Sequence, residues 1–403
     1  MADDSAVLVT GVGAITPLGA DAASTWSGML AGKSGVRLLT EDWAEELSVR
    51  IAAGLPVDPA GLLDRVQARK LDRCEQVAMI SSREAWQDAG RPQVEPERLA
   101  VVIGTGTGGV LTTLGQDDLM ERSGTRRMSP HTVPMLMPNG PAAWVSMDLG
   151  ARGGARTPVS ACASGAEAIA MGLDLIRAGR ADVVVAGGAE ACLHPFTLAA
   201  FAQMKALSTR HDDPEAVSRP FDADRSGFVM AEGAGMLVLE RAGHARARGA
   251  RVYGTLAGAG ITSSAQHITA SDTEGQVLAI QTALRSADLT SGDIEHVHAH
   301  ATSTESGDLA EARAIAQAVG GAAVTATKSM TGHMLGASGA VAAVAALLTM
   351  ESGTLPAIRN LDRPDPGAEL DLVRGENRSG TWSAGLVNSF GFGGHNVSLV
   401  LTR

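Results

Sequence analysis

Three segments carry side chains able to do chemistry. The first is Val159-Ser-Ala-Cys162-Ala-Ser-Gly165, where an apolar strand ends and a helix of small residues begins. At a helix N-terminus, unpaired N–H groups and the macrodipole favour a thiolate, and the same N–H groups can hold an oxyanion. The pattern equally suits a buried packing cysteine, which behaves as a small hydrophobe. The second segment is His296-Val-His298-Ala-His300. In a strand the three imidazoles share one face, which suits a zinc site. No fourth ligand is evident, because Asp308 comes only after Thr302-Ser-Thr304 and is expected to start a helix. The other reading is a catalytic histidine at the C-terminal end of a strand, where α/β proteins gather their active groups. The third segment runs from Lys328 to His333. Cys74 and Cys192 lack comparable context and read as structural.

Two glycine-rich stretches need separate readings. Gly104-x-Gly106-x-x-Gly109 formally fits a dinucleotide fingerprint. With 48 glycines such matches arise by chance, and no acidic residue ends a second strand about 20 positions on. Asn388-Ser-Phe-Gly-Phe-Gly-Gly-His-Asn396 is different. Only six Phe occur in 403 residues, and two of them fall here among glycines. Glycine allows close approach of backbone to a ligand, so this reads as a loop at a site.

The elements that must position these residues alternate. Ala6–Thr10, Leu99–Ile103, Ala181–Ala186 and Met236–Leu239 read as strands, and Glu75–Ala89 and Ala163–Ala178 as helices. Such alternation implies an α/β chain with a largely parallel sheet covered on both faces. The second half replays the first. Thr157–Cys162 and its small-residue helix parallel Thr325–Met330 and the helix after His333. Val183–Gly188 matches Leu386–Gly394 in placement, and Tyr253–Ile261 echoes Val7–Ile15. The expected halves are 1–245 and 246–403, joined near Glu240–Arg251 and sharing one core. Such a duplication relates His333 to Cys162 and points to a site made of Cys162, His300 and His333.

Composition narrows the class. The chain has 33 basic and 44 acidic residues, a net −11. That argues against wholesale nucleic-acid binding. Three widely spaced cysteines form no disulfide framework and no CxxC metal site. The expected compartment is reducing, hence cytoplasmic, and no signal peptide is visible in MADDSAVLVTG. Ser329–Met350, uncharged apart from His333, reads as a turn and a buried helix and not a membrane span.

Taken together, Val-Ser-Ala-Cys162-Ala-Ser-Gly, His298-Ala-His300-Ala-Thr302-Ser-Thr304, Thr327-Lys328-Ser-Met-Thr-Gly-His333 and Asn388-Ser-Phe390-Gly391-Phe392-Gly-Gly resemble the four signatures of the β-ketoacyl-acyl-carrier-protein synthases, in order and over essentially the whole chain. Arg219-Pro-Phe-Asp222 through Phe228, and Ala231-Glu-Gly-Ala-Gly-Met236, are also similar to that family, with the type II elongating synthases nearest. The resemblance implies a thiolase-like fold: two duplicated halves in a five-layered α-β-α-β-α core, as a homodimer or a paired heterodimer. It implies that Cys162 takes an acyl chain from an acyl carrier protein. His300 and His333 would stabilise the enolate left when malonyl loses CO₂. Lys328 would orient the site and one histidine. The N–H groups of Cys162 and Phe392 would form the oxyanion hole, with Phe392 as gate. Thr302 and Thr304 would bind the pantetheine arm, and Phe201, Phe390 and Gly391 would border the substrate. No metal or free cofactor is implied, because the substrates ride on the carrier's phosphopantetheine. Thiolases share the fold but place a cysteine in the second half, and none follows Cys192.

An acidic carrier docking on an acidic enzyme requires a local positive patch. Arg65, Arg69, Lys70 and Arg73 form one cluster, with Arg126, Arg127 and Lys205 as further candidates. The acyl pocket floor is expected near Val110 and Met135–Met137. The six Phe are expected to serve the pocket and its gate. The chain departs from the family pattern at His298 (usually Asn), Ala301 (often Gly) and Ala342 (usually Glu). The last removes a carboxylate expected near Lys328. It opens the alternative of a ketosynthase in a type II polyketide pathway, paired with a chain-length subunit.

Overall fold

Runs of Val, Ile, Leu and Ala become buried strands, and the small-residue segments become the helices that pack on them. The computed structural model describes residues 4–403. The first half runs β1 (Val7–Ile15), α1 (Arg73–Asp88), β2 (Leu99–Gly104), α2 (Gly140–Leu149), β3 (Ala155–Arg156), α3 (Ser164–Arg177), β4 (Val183–Glu190), α4 (Pro195–Gln203) and β5 (Gly233–Arg241). The second runs β6 (Gly254–Ser263), α5 (Thr273–Ser286), β7 (His296–His298), α6 (Glu305–Ala318), β8 (Ala323–Thr325), α7 (Ser338–Ser352), β9 (Ala384–Gly391) and β10 (His395–Thr402).

The duplication is visible in the strand order. One half reads β1-β5-β4-β2-β3 and the other β6-β10-β9-β7-β8. In both, the first two pairings are antiparallel and the last two parallel. The sheets are therefore mixed, not largely parallel as the alternation suggests. The antiparallel pairs arise because β5 and β10 follow β4 and β9 without a right-handed helical crossover. A short β1–β6 pairing at Leu8–Val9 joins the halves.

Equivalent helices take equivalent layers. α1 and α2 cover the first sheet outside, α5 and α6 cover the second, and α3 and α7 lie between the sheets. The central layer must be thin, and its side chains are small: Ala166, Ala168 and Ala170 from α3, and Ala340, Ala342, Ala343 and Ala346 from α7. The outer helices approach as closely. A Cβ at Gly11 or Gly13 would lie 2.2 or 2.1 Å from the α1 carbonyls of Ala85 and Ser81, and one at Gly258 or Gly260 would lie 2.5 or 2.1 Å from those of Ala283 and Ala279 on α5. A repeated Gly-x-Gly thus serves the same contact in both halves. The apolar run Leu335–Ser352 is long enough to cross a membrane, but most of it is buried inside this fold.

Candidate active site

The nucleophile turn is built by backbone strain and one serine. Ala161 adopts φ 52°, a left-handed conformation unusual for a residue with a Cβ. The turn is held by Ser164, whose hydroxyl donates to the Ala161 carbonyl at 2.7 Å and accepts from the Ser160 N–H at 2.9 Å. Cys162 then sits one turn before α3, with its carbonyl accepting from Ser389 Oγ at 3.0 Å. The glycine loop lies directly on this turn. A Cβ at Gly391 would be 2.5 Å from the Ser160 carbonyl and 3.1 Å from the Cys162 nitrogen. That approach lets the Phe392 N–H reach the Cys162 sulfur.

β7 and β8 run parallel, with Thr325 opposite His298, so both chains leave the sheet at the same end. His300 and Lys328 emerge there. Lys328 Nζ donates to the His300 carbonyl at 2.5 Å, and the Ser218 hydroxyl donates to the Lys328 carbonyl. His333 Nδ1 lies 3.0 Å from Ser338 Oγ at the start of α7, which fixes its ring. The rings of His300 and His333 meet edge to face at 5.3 Å. Phe228 continues the contact from His333 (5.2 Å) to Phe201 (5.6 Å), and Phe390 packs on His300 at 5.9 Å.

Cys162, His300, Thr302, Thr304, His333, Phe201, Phe390, Gly391 and Phe392 border one narrow cavity, with free space of about 90 Å³. Lys328 lies behind it, 4% exposed. The mouth is lined by Lys205, Met204, Thr304 and Phe392. Four of the six Phe border the cavity. Phe221 is instead buried in the second-half core, and Phe196 points outward, 61% exposed. Val110 packs in the cluster that contains Cys162, whereas Met137 reaches the surface.

Burial decides the charges. It pushes the Cys162 thiol up to about 12. The Lys328 charge and the N–H groups of Phe392 and Cys162 oppose this, and the Glu190 carboxylate adds to it. The helix start alone suggests a thiolate, but desolvation outweighs it here and the resting group is a thiol. Burial, helped by the Lys328 charge, holds His300 and His333 well below their ordinary value, so both imidazoles are neutral. Lys328 is pulled down to about 8, chiefly by burial and against the pull of Glu311.

Glu311 is the site residue that motif reasoning missed. From α6 it accepts the N–H groups of His300 (2.7 Å) and Ala301 (2.6 Å) and Asn388 Nδ2 (3.1 Å). It is the carboxylate facing Lys328. Ala342 meanwhile packs in the apolar central layer. Asp308, in the first turn of α6, accepts from Ser303 and Phe221 N–H groups beside Arg225. The only sequence signal was a pair of acids on an otherwise alanine-rich helix face.

His296 and His298 do not join this site. They are buried behind it, His296 against Trp382 and His298 with Nε2 3.3 Å from Thr349 Oγ1. Among the described residues no three His, Cys, Asp or Glu groups are placed to hold a metal, so the zinc reading finds no ligand set. Neither ring nitrogen of His296 has a hydrogen-bond partner, and burial depresses its pKa to about 4. Between pH 6.5 and 4 the unfolded chain then binds the extra proton, so stability falls as pH drops through that window, by about 3 kcal/mol for this group. Urea midpoints at pH 7 and 4.5 should separate more in wild type than in His296→Gln. Equal separations would refute the assignment.

Of the docking candidates, Arg65, Arg69, Arg126, Arg127 and Lys205 are exposed and Lys70 is half-buried. Arg73 is a correction. Its guanidinium is held at 2.7 Å by both oxygens of buried Glu232 and also faces Asp58. Its side chain is half-buried and its charge is already paired. The glycine fingerprint is also resolved: the Gly106 and Thr107 N–H groups bind the chain's own Glu190, which occupies the cradle a phosphate would need.

A duplicated, five-layered α/β frame that sets a cysteine at a helix start against two neutral imidazoles and a buried lysine defines a thiolase-like condensing architecture. The family models described as "Beta-ketoacyl synthase, N-terminal domain" and "Beta-ketoacyl synthase, C-terminal domain" match residues 4–245 and 253–362. A 3-oxoacyl-[acyl-carrier-protein] synthase 2 of Mycobacterium tuberculosis is 44% identical, covering 98% of this chain and 97% of the relative. The solved ishigamide ketosynthase/chain length factor superposes with a TM-score of 0.92 at 31% identity, over 99% of both chains. A type II polyketide synthase acyl-carrier protein in complex with its ketosynthase gives 0.90 at 29% identity, again over 99% of both. The chain belongs to the β-ketoacyl synthase family.

Proposed function

We propose that this protein condenses a Cys162-bound acyl chain with malonyl-acyl-carrier-protein to give 3-oxoacyl-acyl-carrier-protein, in fatty-acid elongation. The observation that carries this is the convergence of Cys162, His300 and His333 on one cavity, with Lys328 directly behind. Cys162 attacks the carrier-bound acyl thioester, and its proton leaves with the carrier thiol. Dividing the reaction into loading and condensation is covalent catalysis. Malonyl then loses CO₂, and the enolate oxygen takes hydrogen bonds from the two neutral imidazoles. The resulting carbanion attacks the Cys162 thioester. The tetrahedral oxyanion is held by the Cys162 and Phe392 N–H groups, and the cysteine departs as a thiolate that takes up a proton from solvent to regain the resting thiol. The cavity is far smaller than ligand pockets usually are, so Phe392, 36% exposed at the mouth, must move for the chain to enter.

The carrier docks through Arg65, Arg69, Lys70, Arg126 and Arg127, with Lys205 at the mouth and the pantetheine arm along Thr302 and Thr304. The reaction needs no cofactor of the enzyme's own, and cytoplasm is the compartment proposed. The halves 1–245 and 246–403 each supply part of the site. We take the assembly to be a homodimer. β3 is an open sheet edge, Val159 and Phe196 are exposed, and Arg156 Nη1 and Thr157 Oγ1 are buried without hydrogen-bond partners in the single chain. The second reading, a type II polyketide ketosynthase paired with a chain-length subunit, is favoured by Ala342 standing where the family usually has Glu. The test is to incubate the protein with acyl-carriers of graded length and malonyl-carrier and to follow intact masses. A Cys162 adduct and a 3-oxoacyl product two carbons longer are expected. Absence of both across the panel would defeat the proposal, and turnover only with repeated malonyl addition would select the polyketide reading.

A further inference from the structure

Glu190, the last residue of β4, has a wholly buried side chain. Its carboxylate accepts five hydrogen bonds: Thr105 Oγ1 at 3.1 Å, Gly106 N at 2.7 Å, Thr107 N at 3.1 Å, Thr107 Oγ1 at 2.6 Å and Gly336 N at 3.0 Å. Burial pushes the Glu190 carboxyl up, but the hydrogen bonds oppose this, and five donors on two oxygens suit the ionised, acceptor-only form. No Lys, Arg or His pairs with it among the described residues, and its leading influences are burial and neutral donors. A buried anion held only by neutral donors is costly, so its placement asks for a reason.

The donors come from two places that meet at the site. Thr105–Thr107 is the loop after β2, and the Thr105 carbonyl accepts from Ser164 Oγ, the hydroxyl that holds the nucleophile turn. Gly336 lies three residues beyond His333, in the turn that starts α7. Its neighbour Leu335 has φ 40°, a strained conformation for leucine. Both glycines are shaped to the carboxylate, since a Cβ at Gly106 or Gly336 would stand 2.7 or 2.9 Å from Oε2.

We propose that Glu190 is a positioning residue of the condensation, clipping the loop behind the Cys162 turn of the first half to the His333 turn of the second. Its unpaired charge has a second consequence. It works against the Lys328 charge and helps hold resting Cys162 in the thiol form. The proposal rests on Cys162 as nucleophile, and one of its two readouts does not need the condensation reaction.

The test compares wild type, Glu190→Gln and Glu190→Asp in the full chain. Iodoacetamide alkylation of Cys162, followed by intact mass against pH, should shift to lower pH by about half a unit or more in Glu190→Gln, because a negative charge is removed. Condensation should fall roughly 10- to 100-fold in the same variant, through the geometry of the two turns. Glu190→Asp keeps the charge but shortens the clip, so alkylation should follow wild type while condensation falls. An unshifted alkylation profile in Glu190→Gln, or undiminished condensation in Glu190→Asp, would overturn the proposal. Wild type that alkylates but never condenses would indict the functional reading instead, while the alkylation shift still judges Glu190.

Discussion

Cys162→Ala is expected to abolish the acyl adduct and lower condensation by roughly 10⁴-fold or more, while carrier-bound malonyl still loses CO₂. The turn should survive the change. The hydrogen bonds that shape it run through Ser164 Oγ, Ser389 Oγ and main-chain atoms, whereas the sulfur takes the Phe392 and Cys162 N–H groups of the oxyanion hole. Alanine also keeps the Cβ in a well-packed cluster. What is lost is the only thiol bordering the cavity: Cys74 contacts Thr105 and Ala189 in the core, and Cys192 lies against Met230. Decarboxylation, in contrast, needs donors for an enolate oxygen, and His300 and His333 remain. Intact mass reports the adduct, and CO₂ release with acetyl-carrier formation reports the second step. If decarboxylation disappears with the thiol, the division of labour between cysteine and histidines is wrong.

The placing of these groups was legible in the sequence because the chemistry sits where chain periodicity changes, while their division of labour came only from the resemblance to the β-ketoacyl synthases. An apolar strand followed by Cys and a small-residue helix marks one such place, and Lys328–His333 repeats it in the second half. The duplication itself was legible from element order, and the matched strand orders bear it out. The antiparallel pairing of β1 with β5 was not legible, since an apolar strand buried on both faces looks the same in either direction. The histidine run shows how far periodicity reaches. His296 and His298 do alternate in a strand, but β7 ends at His298, and only His300 lies beyond the sheet and in the cavity. Arg73 was misread because its partner Glu232 is 159 residues away. The glycine fingerprint was ambiguous because a loop of free N–H groups suits any anion, and the sequence alone cannot say that the anion is Glu190.

Glu311 was illegible for the same reason, and its removal should have the second largest effect. Glu311→Ala is expected to cost about 3–5 kcal/mol, the usual penalty for stripping one partner from a buried charged network. The carboxylate now satisfies two main-chain N–H groups and Asn388, whose Oδ1 in turn accepts from Ser398 Oγ. His300 is therefore pinned twice, at its N–H by Glu311 and at its carbonyl by Lys328. Removing the acid frees one side and takes away the largest of the influences that keep Lys328 protonated. The sign follows directly. Lys328 already titrates near 8 with Glu311 present, so without it the lysine loses its proton at lower pH. The limb of the rate profile near pH 8 should shift downward, and the rate at neutral pH should fall roughly 100-fold as the His300 ring loses its orientation. Glu311→Gln separates the two effects. It restores an acceptor for one N–H but turns an amide group towards the other, so it should recover part of the stability and none of the charge. Its pH limb should therefore stay shifted like that of alanine while its urea midpoint moves back towards wild type. A glutamine variant whose pH profile overlays wild type would show that Lys328 takes its charge state from elsewhere, and that Glu311 acts on His300 through hydrogen bonds alone.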